Sequence, residues 1–388
     1  MTRHCWIKKT SIALVNLTVA LTYLARPAKA GLGQPEITAA SAVLMEWSTG
    51  SVLYEKNAFV RRHPASLTKI MTAVVALEKG YLGDVVRVSP QAAWEAGSYM
   101  GLSPGDLYTL EDLLYGAMLP SGNDACVAIA EHLGGGDVKK FVNMMNQKAR
   151  ELGAWDTWFC NPHGLTEDEH LTTAYDLALI TRYAMGIPLF AKIVSTGEHD
   201  AWRLQDMRVN PLYSTNKMLW SYPGAEGVKT GTTSAAGLCL VAAASKEGVR
   251  YIAVILDSYD RWGDAKRLLS YAQENFTLIP NPYTHKAVGS VKVVGGREKV
   301  VEGYITGPTG WVLPKDQALT VRLIMAERVS APISKGEQLG HLAVVTESEV
   351  VDDVPIVAMK DVGQSSFGGL LVDAAVFLFR TMARAKLG

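Results

Sequence analysis

The sequence predicts a mixed α/β (α+β) protein in which an antiparallel sheet flanked by helices is followed by a small all-β domain and a C-terminal amphipathic helix. Two β-rich runs, 238–244 and 251–256, are joined by a tight connection at 246–248, and so short a connection pairs strands in antiparallel fashion. From residue 287 to about residue 362, short β-rich runs alternate with Gly and Pro turns, which predicts a separate all-β domain.

Length and composition are those of a globular protein of two or three domains. The chain has 388 residues, of which 48% are apolar and 20% are charged, and these values are ordinary for a folded chain. The formal net charge at pH 7 is zero and no block of like charges occurs. Nucleic acid is therefore not an expected partner.

Residues 1–30 have the features of a secretory signal peptide. Basic residues precede an apolar run at 11–25, and Ala28-Lys29-Ala30 supplies the small residues of a cleavage site. The alternative, an uncleaved membrane anchor, is disfavoured because the apolar run is short. The sequence therefore predicts an exported protein.

Two local patterns predict elements of the first domain. Apolar, β-rich runs at 42–47 and 51–54 flank a Ser-Thr-Gly turn, as in a hairpin. Further along, Thr109 precedes an apolar run whose first turn carries Glu111 and Asp112, which is typical of a capped helix N-terminus.

The Ser-x-x-Lys sequence at 66–69 is the first candidate for chemistry. A Pro-Ala-Ser turn leads here into an apolar, helix-forming run, so Ser66 is expected at a helix N-terminus with Lys69 on the same face. A lysine whose pKa is lowered by burial or by another cation can take the proton of a serine hydroxyl. A second copy at 214–217 is followed by no long helical run and is interpreted as structural.

Two further motifs follow in the chain. Ser121-Gly122-Asn123 lies between two helical runs, where Ser121 could pass a proton to a leaving amine and the Asn123 amide could hold a substrate carbonyl. Taken alone, either residue could equally be a helix cap.

Lys229-Thr230-Gly231-Thr232 falls on a predicted strand. A lysine and two hydroxyl side chains suit a substrate that ends in a carboxylate, and Gly231 has no side chain to obstruct a peptide lying against the strand. Lys229 is also expected to lower the pKa of Lys69. The alternative is a simple edge strand with a surface lysine.

Together, Ser-x-x-Lys, Ser-x-Asn and Lys-Thr-Gly are the signature of serine penicillin-recognising acyl enzymes. The chain resembles the low-molecular-weight penicillin-binding proteins, and more narrowly the serine-type D-alanyl-D-alanine carboxypeptidases of the peptidase S11 family. The stretches that carry the resemblance are 65–73, 119–125, 161–165, 172–178 and 227–233.

The resemblance implies a function and a set of roles. Ser66, Lys69 and Ser121 would be catalytic, and Asn123, Lys229, Thr230, Gly231 and Thr232 would bind substrate. The expected reaction removes the terminal D-Ala from peptidoglycan stem peptides that end in D-Ala-D-Ala, through an acyl-enzyme on Ser66. β-Lactams would acylate the same serine. No metal or organic cofactor is needed, and no metal-binding spacing such as Cys-x-x-Cys or His-Glu-x-x-His occurs.

Three alternatives use related residues. A D,D-endopeptidase or transpeptidase would act on cross-linked peptidoglycan with the same motifs. A class A-like β-lactamase would carry Ser-Asp-Asn and a deacylating glutamate, whereas this chain has Ser-Gly-Asn and places Glu167 and Glu169 in no such motif. A non-catalytic β-lactam sensor would need an uncleaved transmembrane segment.

Histidine and cysteine are assigned structural roles. His163 lies in Asn-Pro-His-Gly and is expected to order a turn with Asn161. The mature chain would keep Cys126, Cys160 and Cys239, an odd number that cannot all pair, so buried thiols are expected.

The predicted organisation is a signal peptide (1–30), an acyl-enzyme domain (31–280), a β-rich spacer domain (281–365) and a membrane-anchor helix (366–388). In the last segment, Asp373 and Arg380 leave six apolar residues between them, far short of the ~20 that a transmembrane helix needs. An amphipathic helix on the outer face of the bacterial cell membrane is therefore expected. A helix packed on the protein itself is the alternative.

Overall fold

The computed structural model describes residues 33–347 and 349–365, and near the N-terminus two short strands, β1 (Leu14–Val15) and β2 (Leu21–Tyr23). Apart from those strands, the predicted signal peptide lies outside the described residues, and so does the predicted helix at 366–388. The described residues form two compact units. The first lies within Lys29–Thr277, and the second combines β1 and β2 with residues within Leu278–Gly388.

The larger unit mixes strands and helices. Its strands are β3 (Ser41–Glu46), β4 (Val52–Lys56), β5 (Val85–Arg87), β6 (Leu107–Thr109), β7 (Glu198–Arg203), β8 (Arg208–Tyr213), β9 (Ala225–Thr233), β10 (Gly237–Lys246) and β11 (Val249–Ser258). Its helices are α1 (Lys69–Lys79), α2 (Pro90–Ala93), α3 (Leu110–Met118), α4 (Asn123–Gly134), α5 (Val138–Glu151), α6 (Ala174–Ala184), α7 (Pro188–Ser195), α8 (Met218–Ser221) and α9 (Arg261–Asn275).

A five-stranded antiparallel sheet organises this unit, in the order β4-β3-β11-β10-β9. The predicted hairpin of β3 and β4 and the predicted pair of β10 and β11 are both present. β5 pairs with β6 and β7 pairs with β8 in two separate two-stranded sheets. β9, which carries Lys-Thr-Gly, is an edge strand of the main sheet.

Both faces of the main sheet are covered. Val43 and Val241 face one apolar cluster, which includes α1. Their neighbours Leu44 and Leu240 face a second cluster, which includes α9. Because alternate residues point to opposite faces, burial on both sides makes such strands continuously apolar rather than alternating. The run at 238–244 has this pattern.

Helix α1 lies at the centre of the larger cluster. Its residues from Lys69 to Ala76 are all buried, and it packs against α3, α4, α5 and α6. A lysine that opens so buried a helix is unusual, because an ammonium group loses hydration when it is buried.

The smaller unit is built from strands. They are β12 (Phe276–Pro280), β13 (Ala287–Val294), β14 (Val300–Ile305), β15 (Gly310–Pro314), β16 (Leu319–Ala326), β17 (Arg328–Ser330), β18 (Gln338–Val345) and β19 (Val350–Ala358). Its main sheet runs β1-β16-β18-β19-β14-β13-β17, with β2 also on β16, and β12 pairs with β15.

Four of these strands, β13, β14, β16 and β18, cover the short β-rich runs at 290–294, 300–304, 319–324 and 342–345, where the sequence predicted strands. The sequence analysis did not identify β12, β15, β17 or β19. β19 contains two adjacent aspartates, Asp352 and Asp353, and alternates exposed and buried residues around Pro355. Proline argues against a strand except at special positions.

Within the described residues, no single helix is long and apolar enough to cross a membrane. Helices α6 and α7 meet the length and hydropathy criteria only as a pair, and a bend of 108° separates them.

Candidate active site

Ser66 lies in a turn of 3₁₀ helix, Ala65–Thr68, that leads directly into α1. The sequence predicted Ser66 at the N-terminus of the α-helix itself, and the structure places it one turn earlier. In a 3₁₀ turn the side chains of residues i and i+3 eclipse each other, so the Ser66 hydroxyl faces the side chain of Lys69. The preceding residue, Ala65, has a φ of +49°, which is unusual for a residue other than glycine.

Lys69 is completely buried and its ammonium group has three acceptors. Its Nζ donates to Ser66 Oγ at 3.0 Å, to Asn123 Oδ1 at 2.6 Å and to the His163 carbonyl oxygen at 2.9 Å. Burial lowers the pKa of Lys69 to about 8. A base is thus held within hydrogen-bonding distance of the serine hydroxyl, which is the arrangement that activates a serine nucleophile.

The Ser121-Gly122-Asn123 turn connects α3 to α4. Ser121 has a φ of +69° and is buried, and within residues 33–347 and 349–365 its hydroxyl makes no hydrogen bond. Neither Ser121 nor Asn123 caps the helix, because the N-cap is Gly122, without a side-chain cap bond. The capping alternative is therefore wrong for both.

Both polar atoms of the Asn123 amide make a hydrogen bond. Its Oδ1 accepts from Lys69, and its Nδ2 donates to the Ala96 carbonyl oxygen at 2.5 Å. The sequence suggested that this amide holds a substrate carbonyl. In the structure it positions Lys69 and ties the Ala96 loop to the site.

Asp124, the residue after this motif, was not singled out from the sequence. Its buried carboxylate accepts backbone N–H bonds from Met100, Gly101 and Leu102, at 2.8 to 3.1 Å. Its negative charge also favours the charged form of Lys69 and so opposes the effect of burial on the pKa of that lysine. Asp124 therefore anchors the loop that borders the Ser121 turn.

Lys229 on β9 is also buried, and its Nζ donates to the Thr230 carbonyl oxygen at 3.2 Å. Burial lowers the pKa of Lys229 well below its usual value, and the charge of Lys69 lowers it further. The sequence analysis expected Lys229 to lower the pKa of Lys69. In the structure, burial is the main cause of the lowered pKa of both lysines.

The rest of the Lys-Thr-Gly-Thr stretch is tied to its surroundings through side chains and backbone. Thr230 Oγ1 lies 3.0 Å from Thr215 Oγ1, so the second Ser-x-x-Lys copy borders the site through its threonine. Thr232 is exposed and its hydroxyl donates to the Gly231 carbonyl oxygen at 2.8 Å.

Gly231 is needed for packing, which is a reason that the sequence analysis did not identify. A Cβ on Gly231 would lie 3.0 Å from the Pro64 carbonyl oxygen and 3.1 Å from both Ala65 Cβ and Ser66 N. The missing side chain thus allows β9 to pack directly against the Ser66 turn. This close packing places the Lys-Thr-Gly strand beside Ser66.

Arg261, the first residue of α9, is a site residue that the sequence analysis missed. Its Nη1 donates to the Gly231 carbonyl oxygen at 3.0 Å, to Thr232 Oγ1 at 2.8 Å and to the Cys239 carbonyl oxygen at 3.2 Å. It adds a second cation at the edge of β9. Arg261 is distant from every motif in the chain, so only the packing of α9 on the sheet reveals it.

His163 has the structural role that was expected. The Asn161 side chain accepts from the backbone N–H groups of His163 and Gly164, at 3.3 and 2.7 Å. Burial lowers the pKa of His163 to about 3, so the ring is neutral. Its contribution to the site is its backbone carbonyl, which accepts from Lys69.

The three cysteines are free thiols. Cys126 and Cys239 are buried, and burial raises the pKa of each to about 11, whereas Cys160 is only half-buried. Among the described residues, no three His, Cys, Asp or Glu side chains cluster as metal ligands do.

Comparison with known proteins identifies the family. The family described as D-alanyl-D-alanine carboxypeptidase, peptidase S11, matches residues 28–260. The curated protein D-alanyl-D-alanine carboxypeptidase DacF of Bacillus subtilis is 36% identical over 382 residues, which cover 96% of each chain. The chain belongs to the peptidase S11 family. DacA of Escherichia coli K12 is 31% identical over 371 residues, 89% of each chain.

The S11 relationship extends to the fold and to the second unit. Penicillin-binding protein 5 of Haemophilus influenzae has a similar structure, with a TM-score of 0.78 and 29% identity over 86% of this chain and 100% of that one. The family described as penicillin-binding protein 5, C-terminal domain, matches residues 281–364. The predicted family, enzyme class and fold class are confirmed.

Proposed function

We propose that this S11 enzyme removes the terminal D-Ala from peptidoglycan stem peptides through an acyl-enzyme on Ser66. The observation that carries the proposal is the buried Lys69, which donates to Ser66 Oγ at 3.0 Å and has a pKa lowered to about 8. An amine with that pKa is neutral often enough near neutral pH to serve as a general base.

Acylation begins when neutral Lys69 takes the proton of the Ser66 hydroxyl. Ser66 Oγ attacks the carbonyl carbon of the penultimate D-Ala, and the carbonyl oxygen becomes negative. The backbone N–H groups of Ser66 and Thr232 would stabilise this oxyanion. The close approach of Gly231 to Ser66 N supports this pairing, because it brings the two segments side by side.

The leaving group needs a proton. The C–N bond to the terminal D-Ala breaks as its nitrogen receives the proton that Lys69 took from Ser66, with Ser121 as the relay. The buried Ser121 hydroxyl is left available for such a relay. Lys69 then takes a proton from water, which attacks the carbonyl carbon of the Ser66 ester. The C–O bond to Ser66 breaks, the shortened peptide leaves, and Lys69 returns the proton to Ser66 Oγ.

Residues of β9 would bind the terminal carboxylate of the substrate. The strand supplies the hydroxyls of Thr230 and Thr232 and the ammonium group of Lys229. Arg261 hydrogen-bonds to the same strand. A carboxylate that arrives near Lys229 raises its pKa and so restores its positive charge. Asn123 positions Lys69, and the second N–H of its Nδ2, which the Ala96 carbonyl does not take, is the group that would donate to a substrate carbonyl.

β-Lactams present a strained amide and a carboxylate in a similar arrangement, so the same site would bind them. Attack by Ser66 opens the lactam ring, and the ring nitrogen remains attached to the acyl group. The adduct is therefore expected to be longer-lived than the peptide ester.

Export, domain boundaries and membrane attachment belong to the same proposal. Residues 1–30 direct export, 31–280 form the enzyme and 281–365 form a spacer. Residues 366–388 attach to the outer face of the cell membrane as an amphipathic helix. Peptidoglycan lies outside that membrane, so the proposed substrate requires this location.

A D,D-transpeptidase is the second candidate. The Streptomyces K15 DD-transpeptidase has a similar structure, with a TM-score of 0.59 and 34% identity over 62% of this chain and 98% of that one. The two reactions share the acyl-enzyme and differ in whether water or an amine accepts the acyl group. Product analysis in the presence of an added D-amino acid or peptide amine distinguishes them.

The test is release of D-Ala from a synthetic stem peptide that ends in D-Ala-D-Ala. The wild-type protein should release one D-Ala per peptide, and Ser66→Ala should release none. Ser214→Ala is the matched control, because Ser214 opens the other Ser-x-x-Lys copy. Among the described residues, its hydroxyl hydrogen-bonds only to the backbone N–H of Asn216. Equal activity of Ser66→Ala and wild type would refute the assignment.

A further inference from the structure

Thr68, inside the Ser-x-x-Lys motif, has a fully buried side chain that is used for structure. Its hydroxyl donates to the Ala65 carbonyl oxygen at 2.9 Å. Ala65 has a φ of +49°, a conformation that residues other than glycine adopt at a cost. This hydrogen bond therefore closes a strained turn immediately before Ser66.

His170 holds Thr68 from the other side, with Nε2 at 2.8 Å from Thr68 Oγ1. A carbonyl oxygen can only accept, so the single hydroxyl proton of Thr68 points to Ala65, and Thr68 Oγ1 must accept from His170. His170 Nδ1 lies 3.1 Å from Cys160 N, and a backbone N–H can only donate. The contacts thus fix the neutral His170 ring with its proton on Nε2.

The surroundings keep His170 in that form. The ring is buried and its edge packs against Phe159, while the His63 side chain contacts the His170 carbonyl. Burial and the nearby His63 lower the pKa of His170 to about 4, and His163 is the other titratable ring that interacts with it. The ring is therefore neutral near neutral pH.

The loop that carries His170 also carries the groups that fix the base. A Cβ on Gly164 would lie 1.9 Å from the Ala65 carbonyl oxygen, so this loop packs directly on the strained turn. The neighbouring His163 carbonyl accepts from Lys69. One loop, 160–170, thus holds both the turn before the nucleophile and the lysine opposite it.

We propose that His170 is a positioning residue for the acylation step. Through Thr68 it holds Ala65 in its left-handed conformation and thereby keeps the Ser66 hydroxyl in front of Lys69. The inference rests on the proposed role of Ser66 as the nucleophile. His170 makes no hydrogen bond to Lys69. Replacing His170 should therefore change the position of the Ser66 hydroxyl and leave the pKa of Lys69 unchanged.

The test is the second-order rate constant for acylation by a penicillin, measured from pH 6 to pH 10 on the purified protein. His170→Phe and Thr68→Val should each lower the high-pH plateau at least tenfold, because small displacements of a nucleophile are costly. The midpoint of the pH profile should stay where it is in the wild type. The double variant should be no slower than the slower single variant, because both act through one hydrogen-bonded unit.

Conservative variants separate this role from general damage. Thr68→Ser keeps the hydroxyl and should recover most of the wild-type rate. His170→Gln keeps a donor to Thr68 but lacks the ring, and should fall between wild type and His170→Phe. His341→Phe, a histidine on β18 in the other unit, is the matched control and should acylate at the wild-type rate. If His170→Phe does not fold, Thr68→Val alone decides.

Several outcomes would overturn the inference. An unchanged plateau in folded His170→Phe would do so. A pH midpoint that moves toward the usual lysine value would do so as well, because it would mean that the base had lost its buried environment. Multiplicative losses in the double variant would show that the two residues act separately. Absence of a Ser66 adduct in the wild type would instead contradict the proposed function.

Discussion

At the scale of single residues, burial decides what Lys69 can do. With a pKa of about 8 in place of the usual 10.5, about a tenth of the molecules carry a neutral Lys69 at pH 7. The hydrogen bonds to Ser66, Asn123 and His163 then ensure that the neutral amine already lies at the hydroxyl. The structure thus supplies both the protonation state and the position of a general base.

The pH dependence of acylation follows with a definite sign. A base must lose its proton before it acts, so the rate constant should be low below the pKa, rise through about pH 8 and level off above it. The measurement is the rate of penicillin acylation between pH 6 and pH 10. A rate that falls with rising pH over this range would contradict the role of Lys69.

Gly231 gives a second prediction at this scale. Gly231→Ala places a Cβ 3.0 to 3.1 Å from three atoms of the Pro64–Ser66 turn, so the turn or β9 must shift. Acylation should slow at least tenfold, in proportion to the displacement of the nucleophile. Gly134→Ala on α4 is the control, because its Cβ would meet only ordinary contacts at 3.5 Å or beyond. Equal acylation rates for both variants would show that the close packing at Gly231 does not affect acylation.

At the scale of elements, each catalytic group lies where one element meets another. The 3₁₀ turn that carries Ser66 ends where α1 begins with Lys69. The turn between α3 and α4 carries Ser121, and α4 begins with Asn123. Lys229 lies on the edge strand β9. The spacing of Ser-x-x-Lys was sufficient to predict that its two side chains meet, because that contact is local. The meeting of the three motifs was not derivable from local patterns and came from the family resemblance.

The contacts that the sequence did not predict are those between elements distant in the chain. Arg261 reaches β9 from α9, and His170 reaches Thr68 across 102 residues of sequence. Neither residue has a local pattern that differs from an ordinary surface arginine or core histidine. For the same reason the packing requirement at Gly231 was not predictable from the sequence, because the turn that packs on it belongs to another element.

Asp124 provides the prediction at this scale. Asp124→Asn replaces a buried carboxylate that accepts from three backbone N–H groups of residues 100–102, and the new NH₂ group would oppose at least one of these donors. The loss of stability should be at least about 2 kcal/mol, because hydrogen bonds to charged groups contribute about 1.5–3 kcal/mol each. Denaturant unfolding measures it.

The control for that measurement is Asp137→Asn. Asp137 caps α5 by accepting from Lys139 N, and asparagine caps a helix about as well as aspartate. Its stability should therefore change by less than about 0.5 kcal/mol. An equally small change in Asp124→Asn would refute the anchoring role of that carboxylate.

At the scale of the whole molecule, the fold class, the sheet and the all-β second unit were predictable because they depend on hydrophobic pattern and turns. β12, β15, β17 and β19 were not, because these strands are short or interrupted by proline and polar residues. The two ends of the chain remain predictions, since residues 366–388 and most of 1–30 lie outside the described residues.

The predicted anchor can be tested by comparing residues 31–388 with residues 31–365. The last segment carries Arg380, Arg384 and Lys386 against one acidic residue, Asp373, so an amphipathic helix there should favour anionic membranes. The longer protein should co-sediment with anionic lipid vesicles and the shorter one should not, while both acylate at the same rate. Equal sedimentation of the two proteins would contradict the anchor.

The central claim is that Ser66, activated by Lys69, forms a covalent acyl-enzyme. Its most direct test is the intact mass of the purified protein after mixing with a penicillin, followed by peptide mapping of any adduct. The account predicts a long-lived increase equal to the mass of the drug, confined to the peptide that contains Ser66. An adduct on another residue or no adduct at all would contradict it, whereas rapid loss of a Ser66 adduct with hydrolysed drug accumulating would indicate a β-lactamase in place of a carboxypeptidase.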